Sequence, residues 1–501
     1  MPPSVQDWLP EPHLARFVVE VVSKLDLHEL KMPYTGVGSE AFNPEMLLGM
    51  LFYGYATGVM SSRKLEQATH DSIAFRYIAA NTHPDHDTIA NFRKRFLEQL
   101  KPLFLQILLL AKTMGFLKLG KISLDGSKIQ ANASKHSALS WGHATELEEQ
   151  LKAEVAKLMA LAETADAEVP ERMDIPSELK RREDRLKAIA EAKAKLEERA
   201  AERHAAEQAE YEAKCAAREA KAELTGKPPR GREPKAPEPG VRDKDQINLT
   251  DEESRVMLSG GKNFQQAYNV QAGVDAETML VVTEYVTQHV NDKLEVEPTL
   301  KAIEQLPEPL GKVEALLADT GYRSESNTRA CHAADITPYI AGGRESHHPP
   351  VEQRFTEPPA LAPGADAVQA MNHRLATVEG RAIYAQRKST VEPVFGIIKS
   401  VLGFRQFHMR GLDAASGEWT LVTMAWNLKR LFNLRSAEIR TSAAACLKTS
   451  DTSPKRSISA VVTPQNSGNS LRLIVLAFIS TFTVRFLQFK TLAAGLTPTG
   501  C

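Results

Sequence analysis

Three acidic side chains in this sequence have the type and setting to hold a divalent cation. Asp125 closes the apolar-rich segment KISLDG, Asp319 closes VEALLAD, and Glu392 lies in YAQRKSTVEPVFGIIK. Aspartate at a strand end is a short, rigid oxygen ligand, and glutamate on a helix reaches further and from another side. Magnesium takes hard oxygen donors and keeps several waters, so a few carboxylates suffice to bind it. Two such ions about 3.5–4 Å apart can neutralise the attacking and leaving oxygens of a phosphodiester. Each acid alone has a plainer reading. Asp before Gly is ordinary turn chemistry, and Glu392 could pair with Lys388 one helical turn before it. The order Asp, Asp, Glu, with cations around the third, favours phosphoryl transfer.

A helix running through Glu392 would carry Tyr384, Arg387, Lys388, Phe395 and Lys399 on the same broad face. Cations beside a metal-binding carboxylate suit a polyanionic substrate. Pro393 disfavours helical geometry at Glu392 and removes a backbone donor. Either a helix begins there, with Pro393 at its first position, or a helix kinks there. Between 381 and 435 there are nine Lys or Arg against three Asp or Glu, whereas residues 144–225 hold 15 against 21. A chain of net charge −1 can therefore still carry a strongly positive face. Trp419 and Trp426 read as core of a last helix.

These groups need a scaffold. The chain has 501 residues, 43% hydrophobic and 25% charged, enough for several domains and too apolar for global disorder. Its four cysteines form no CxxC pair, which argues against a zinc site or disulfide framework. No basic-then-apolar leader opens the sequence, and LIVLAFISTFTV at 473–484 is shorter than the roughly 18–20 residues that span a bilayer. A reduced, cytoplasmic protein with no membrane part is expected.

Residues 1–118 read as a helical domain, with PEMLLGMLFYGYATGV as a buried helix. Asp87 is a candidate N-cap for the helix carrying Phe92, Arg93, Lys94 and Arg95. Such short capped helices could form a helix-turn-helix-like DNA reader, with Arg93, Lys94 and Arg95 at the DNA, or an ordinary bundle. Residues 121–134 switch to a strand reading with a break at Gly126, inside a first core segment of 119–142. Residues 143–225 read as long solvated helices interrupted near Pro170 and Pro176, as a hairpin or coiled coil, and 226–240 as a Pro/Gly-rich linker. Strands return over 241–435. NFQQAYNVQAGVD and MLVVTEYVTQ flank a tight turn at Asp275–Thr278, then VEALLAD and ITPYIAGG alternate with helices. Residues 371–435 read as mainly helical. The result is a mixed α/β core interrupted by an insertion. The 441–501 tail has no assigned role.

LDGSKIQANASKH, YNVQAGVD, LLADTGYRSESN, IYAQRKSTVEPVFGIIK and the N-terminal PDHDTIANFRKRF together resemble the DDE transposases of bacterial insertion sequences. Within these, the resemblance is to the group whose third acid lies in a Tyr–Arg–Glu–Lys signature, and it runs to about residue 435. It implies a ribonuclease-H-like mixed-sheet core with a helical N-terminal domain and a long helical insertion. It implies Asp125, Asp319 and Glu392 as ligands of two Mg²⁺ (or Mn²⁺) ions. Tyr384, Arg387 and Lys399 would hold the DNA end. The usual signature has three residues between Arg and Glu. Arg387 is separated from Glu392 by four and Lys388 by three, so either could take that role. The resemblance further implies double-stranded DNA as partner, a homodimer in the active complex and association with the nucleoid. Two other readings stand beside it: a nuclease on the same fold without strand transfer, and a DNA-binding scaffold with a decayed site.

Overall fold

Apolar runs between residues 121 and 340 fold as strands. The computed structural model describes residues 4–34, 41–163, 174–225, 232–259, 263–343 and 356–450. The strands are β1 (Lys121–Gln130), β2 (Ala138–Ser140), β3 (Gln246–Asn248), β4 (Arg255–Ser259), β5 (Asn263–Asp275), β6 (Val281–Thr287), β7 (Ala315–Ala318) and β8 (Thr337–Ile340). The chain divides into two compact units, Gln130–Ala267 and the remainder on either side of it.

In the larger unit the strand order is β6–β5–β1–β7–β8. β1, β7 and β8 are parallel, while β5 and β6 form an antiparallel hairpin. Asp275 makes that hairpin's turn, its carboxylate accepting from the Thr278 N–H at 2.8 Å and the Thr278 hydroxyl at 2.6 Å. This is a mixed sheet flanked by helices, with a long helical insertion, in general agreement with a ribonuclease-H-like arrangement.

β1 does not break at Gly126. A Cβ there would stand 2.3 Å from Gln271 Nε2 and 2.6 Å from Asp292 Oδ1, so the glycine serves close approach inside a strand, not a turn.

The N-terminal segment is helical, from α1 (Val5–Trp8), α2 (Leu14–Val22) and α3 (His28–Lys31) through α4 (Pro44–Thr57), α5 (Ser62–Asp71), α6 (Ile73–Ile78) and α7 (His86–Arg95) to α8 (Leu100–Thr113). α4 is buried nearly all round, as its unbroken apolar run requires. The N-cap of α7 is Asp85, not Asp87: Asp85 Oδ1 accepts from the Thr88 N–H at 2.8 Å. Asp87 falls in the first turn, where a negative charge complements the helix dipole.

In the smaller unit, α9 (Trp141–Glu163) and α10 (Ile175–Thr225) form an antiparallel helical hairpin. The ion pairs Glu154–Arg182 at 2.7 Å and Glu148–Lys193 at 2.8 Å fix the direction. Leu139, Ala144, Leu151 and Ile189 form its apolar seam. Pro176 lies in the first turn of α10, where it breaks nothing; Pro170 lies outside the described residues.

After β6 come α11 (Val296–Glu304) and α12 (Glu325–Ala333), then α13 (Ala367–Ala376), α14 (Val378–Ala385), α15 (Val391–Gly396) and α16 (Leu412–Ser450). α16 runs past the expected end at 435, and of the tail only 441–450 is described. It buries Trp419 and Trp426. Asn427 exchanges two 2.8 Å bonds with the Val281 backbone of edge strand β6. No described helix is long and apolar enough to cross a membrane.

Glu284 on β6 is buried, and Thr420 of α16 donates to it at 2.8 Å. Burial pushes its carboxyl up to about 7, against the Thr420 bond. The folded chain therefore holds this proton more tightly than the unfolded chain. Its contribution to stability should be full below about pH 4.5 and fall as pH rises through about 7, by at most about 3 kcal/mol. Glu284→Gln is expected to flatten that slope in urea unfolding measured across the range; an unchanged slope would place the titration elsewhere.

Candidate active site

Asp125 and Asp319 are set side by side by the parallel pairing of β1 and β7. The last paired residues are Ser123 and Leu317, and each aspartate lies two residues beyond. Asp319 follows β7 and caps the short 3₁₀ turn Thr320–Tyr322, its Oδ1 accepting from the Gly321 N–H at 2.7 Å. Asp125, inside β1, accepts from the Gly126 N–H at 2.9 Å.

The third acid arrives through a break in the helices. α14 passes into a tight 3₁₀ turn, Gln386–Ser389. Thr390 leaves helical geometry at φ −116°, ψ −81°, and α15 begins at Val391. Glu392 is the second residue of α15 and Pro393 the third, where the missing N–H is one a helix start leaves unpaired in any case. A helix thus begins here, with Pro393 two positions later than the first position. The single helical face expected for Tyr384 to Lys399 does not form, because the chain resets at Thr390 and widens into a π-type turn at Ile397–Val401.

The break gathers the three acids around one guanidinium. Arg387 Nη2 is 3.1 Å from Asp125 Oδ2 and 3.7 Å from Asp319 Oδ2, and Arg387 Nη1 is 2.8 Å from Glu392 Oε1. Arg387 is 8% exposed, against 20% for Asp125, 44% for Asp319 and 49% for Glu392. On a regular α-helix, residues five apart would be about 140° apart and could not meet. Burial works against the Arg387 charge, yet the carboxylates hold its pKa above the ordinary value. Burial pushes the Asp125 carboxyl up to about 6; Arg387 pulls it down and Asp319 adds to the rise.

The other candidates separate. Lys388 is exposed and Arg387 buried, so of the two it is Arg387 that meets the acids. Lys399 donates to the Lys128 carbonyl at 2.9 Å, and burial, then the Lys128 charge, lowers its pKa. Tyr384 packs against the cluster of Ala315, Leu317 and Tyr339. Arg93 does not face solvent: it is buried and donates to the Tyr55 hydroxyl at 2.9 Å and the Met60 carbonyl at 3.1 Å. Lys94 and Arg95 are exposed, with Arg95 over the Phe96 ring at 5.4 Å.

Sequence reasoning missed Asp292, whose Oδ1 accepts from Asn269 at 2.7 Å, Gln271 at 2.8 Å and Lys128 at 3.2 Å. A signal was present in β5, where Asn269 and Gln271 interrupt a strand buried on both faces and so require polar partners.

The donor chemistry suits a small hard cation. Three carboxylates around one guanidinium leave a formal charge of −2, and all their oxygens are hard donors. Among the described residues, however, no three acidic or other metal-binding side chains are arranged to hold one ion as they stand. The carboxylates are drawn to Arg387 instead.

Residues 3–95 match a family described as Transposase domain (DUF772), and residues 235–428 match one described as Transposase DDE domain. Asp319, Arg387 and Glu392 fall in the second match, and Asp125 in neither. No curated protein and no solved structure matches the chain. The two matches together make the chain a member of the DDE transposase family.

Proposed function

We propose that the chain binds the ends of an insertion sequence, cuts there and joins the freed end to target DNA. The observation that carries this reading is the convergence of Asp125, Asp319 and Glu392 on Arg387, within a chain that matches a DDE domain. The three carboxylates would hold two Mg²⁺ (or Mn²⁺) ions. When bound, such ions neutralise charge on the attacking and leaving oxygens. Arg387 keeps the acids together without them and offers a planar fork to a phosphate once they bind. Lys388, Lys399, Lys94 and Arg95 supply further cations for the DNA backbone, and Tyr384 braces the turn that carries Arg387. Buried Arg93 ties the helix that carries Lys94 and Arg95 to Tyr55 and Met60. Two ends must be handled together, which calls for a homodimer on double-stranded DNA.

The test uses the purified chain and linear DNA carrying the inverted repeats that flank its coding region. Mg²⁺-dependent nicking at the repeat ends and joined products are expected, both stopped by a chelator and by Asp319→Ala. Cleavage without joining would support the nuclease reading. Cleavage unaffected by Asp319→Ala would remove the catalytic assignment.

A further inference from the structure

Behind the three acids lies a polar network that joins the two aspartate-bearing segments. Its centre is Asp292, in the loop between β6 and α11. One carboxylate oxygen, Oδ1, accepts from Lys128 Nζ at 3.2 Å, Asn269 Nδ2 at 2.7 Å and Gln271 Nε2 at 2.8 Å. Lys128 stands on β1, three residues after Asp125. Gln271 Oε1 in turn accepts from the Tyr322 hydroxyl at 2.6 Å. Tyr322 is fully buried and ends the 3₁₀ turn that Asp319 caps.

A second tie runs parallel to the first. Asn327 Nδ2 donates to the carbonyl of Lys293, next to Asp292, at 2.8 Å, and to the carbonyl of Tyr322 at 2.7 Å. The loop is therefore clamped to the Asp319 turn from two sides. Gly126 leaves the gap that lets Gln271 and Asp292 approach β1 beside Asp125. A carboxylate accepting three bonds in a largely buried setting is charge-assisted and geometrically determined, and such networks fix their members in place.

We propose that Asp292 is a positioning residue for the metal-binding acids: through Lys128 on one arm and Gln271–Tyr322 on the other, it sets where Asp125 and Asp319 stand relative to each other. This rests on the metal-dependent reading above. Supporting groups of this kind, when removed, weaken metal binding by about 10–100-fold.

The experiment measures Mn²⁺ binding to the full chain by calorimetry, without DNA, for the unaltered protein, Asp125→Asn, Asp292→Ala and Tyr322→Phe. Circular dichroism sets the folded fraction of each. Binding that depends on Asp125, weakened about 10–100-fold by Asp292→Ala and several-fold by Tyr322→Phe in folded protein, is expected. Tyr322→Phe removes one hydroxyl from a ring that still fills its site, so it decides the matter if Asp292→Ala does not fold. Asp125-dependent binding that the folded variants leave unchanged would overturn the positioning role and leave the metal site intact. Binding that Asp125→Asn leaves unchanged would overturn the metal reading itself, and the positioning role with it.

Discussion

Asp125→Asn is expected to reduce DNA cleavage on the order of a thousandfold, equivalent to about 4 kcal/mol of lost transition-state stabilisation. It is also expected to raise the thermal stability of the metal-free protein. Both outcomes come from one cause. Folding takes the Asp125 carboxylate into a place that raises its pKa from 3.8 to about 6, first by burial and then by the neighbouring Asp319 charge, despite Arg387. Above about pH 6 the ionised side chain therefore opposes folding, by up to about 3 kcal/mol. Asparagine keeps the shape and removes the charge. The gain should shrink to a small remainder near pH 4, where Asp125 is protonated in the folded chain and about half ionised in the unfolded one. Cleavage assays and melting curves at pH 4 and pH 8 check both. A variant that loses stability at pH 8 would mean the Arg387–Asp125 pair outweighs the burial of the carboxylate.

The second large effect lies away from the acids. Glu418 on α16 is fully buried, accepting from the Tyr55 hydroxyl at 2.7 Å, from His408 Nδ1 at 2.8 Å and from the His408 N–H at 2.8 Å. Arg93 reaches the same group through Tyr55. Burial would raise the Glu418 pKa, but the His408 bond and the charges of His408 and Arg93 hold it below the ordinary value. This network joins α4 and α7 to α16. Glu418→Ala would leave the buried Arg93 charge without its counter-ion and two backbone donors near His408 without an acceptor. A loss of about 3–5 kcal/mol in denaturant unfolding is expected. Glu418→Gln, which keeps the shape, should lose less. A loss below about 1 kcal/mol for the alanine variant would mean water or a rearranged Arg93 replaces the interaction.

The scaffold was largely legible in the sequence, since strands and buried helices announce themselves by apolar period. NFQQAYNVQAGVD reads as a strand and is β5, residue for residue. The apolar stretch from Pro44 is α4. Positions that depend on distant partners were less legible. Gly126 looks like a turn residue until Gln271 and Asp292 are seen against it. Arg93 shares a basic run with Lys94 and Arg95, yet helical rotation turns it inward to Tyr55. Asp292, in a loop, carries no local mark, because its meaning comes from residues on β1 and β5. For the acids, their order and setting suggested which residues could act together, but the identity of the cation they meet follows from the backbone at Thr390.

That reset at Thr390 bears on how such signatures should be searched for. The distance along the chain from Arg387 to Glu392 is a poor guide to their meeting, because a tight turn followed by a fresh helix start brings together two residues that one regular helix would hold apart. A pattern demanding one interval would pass over this chain or select Lys388, a side chain that points to solvent.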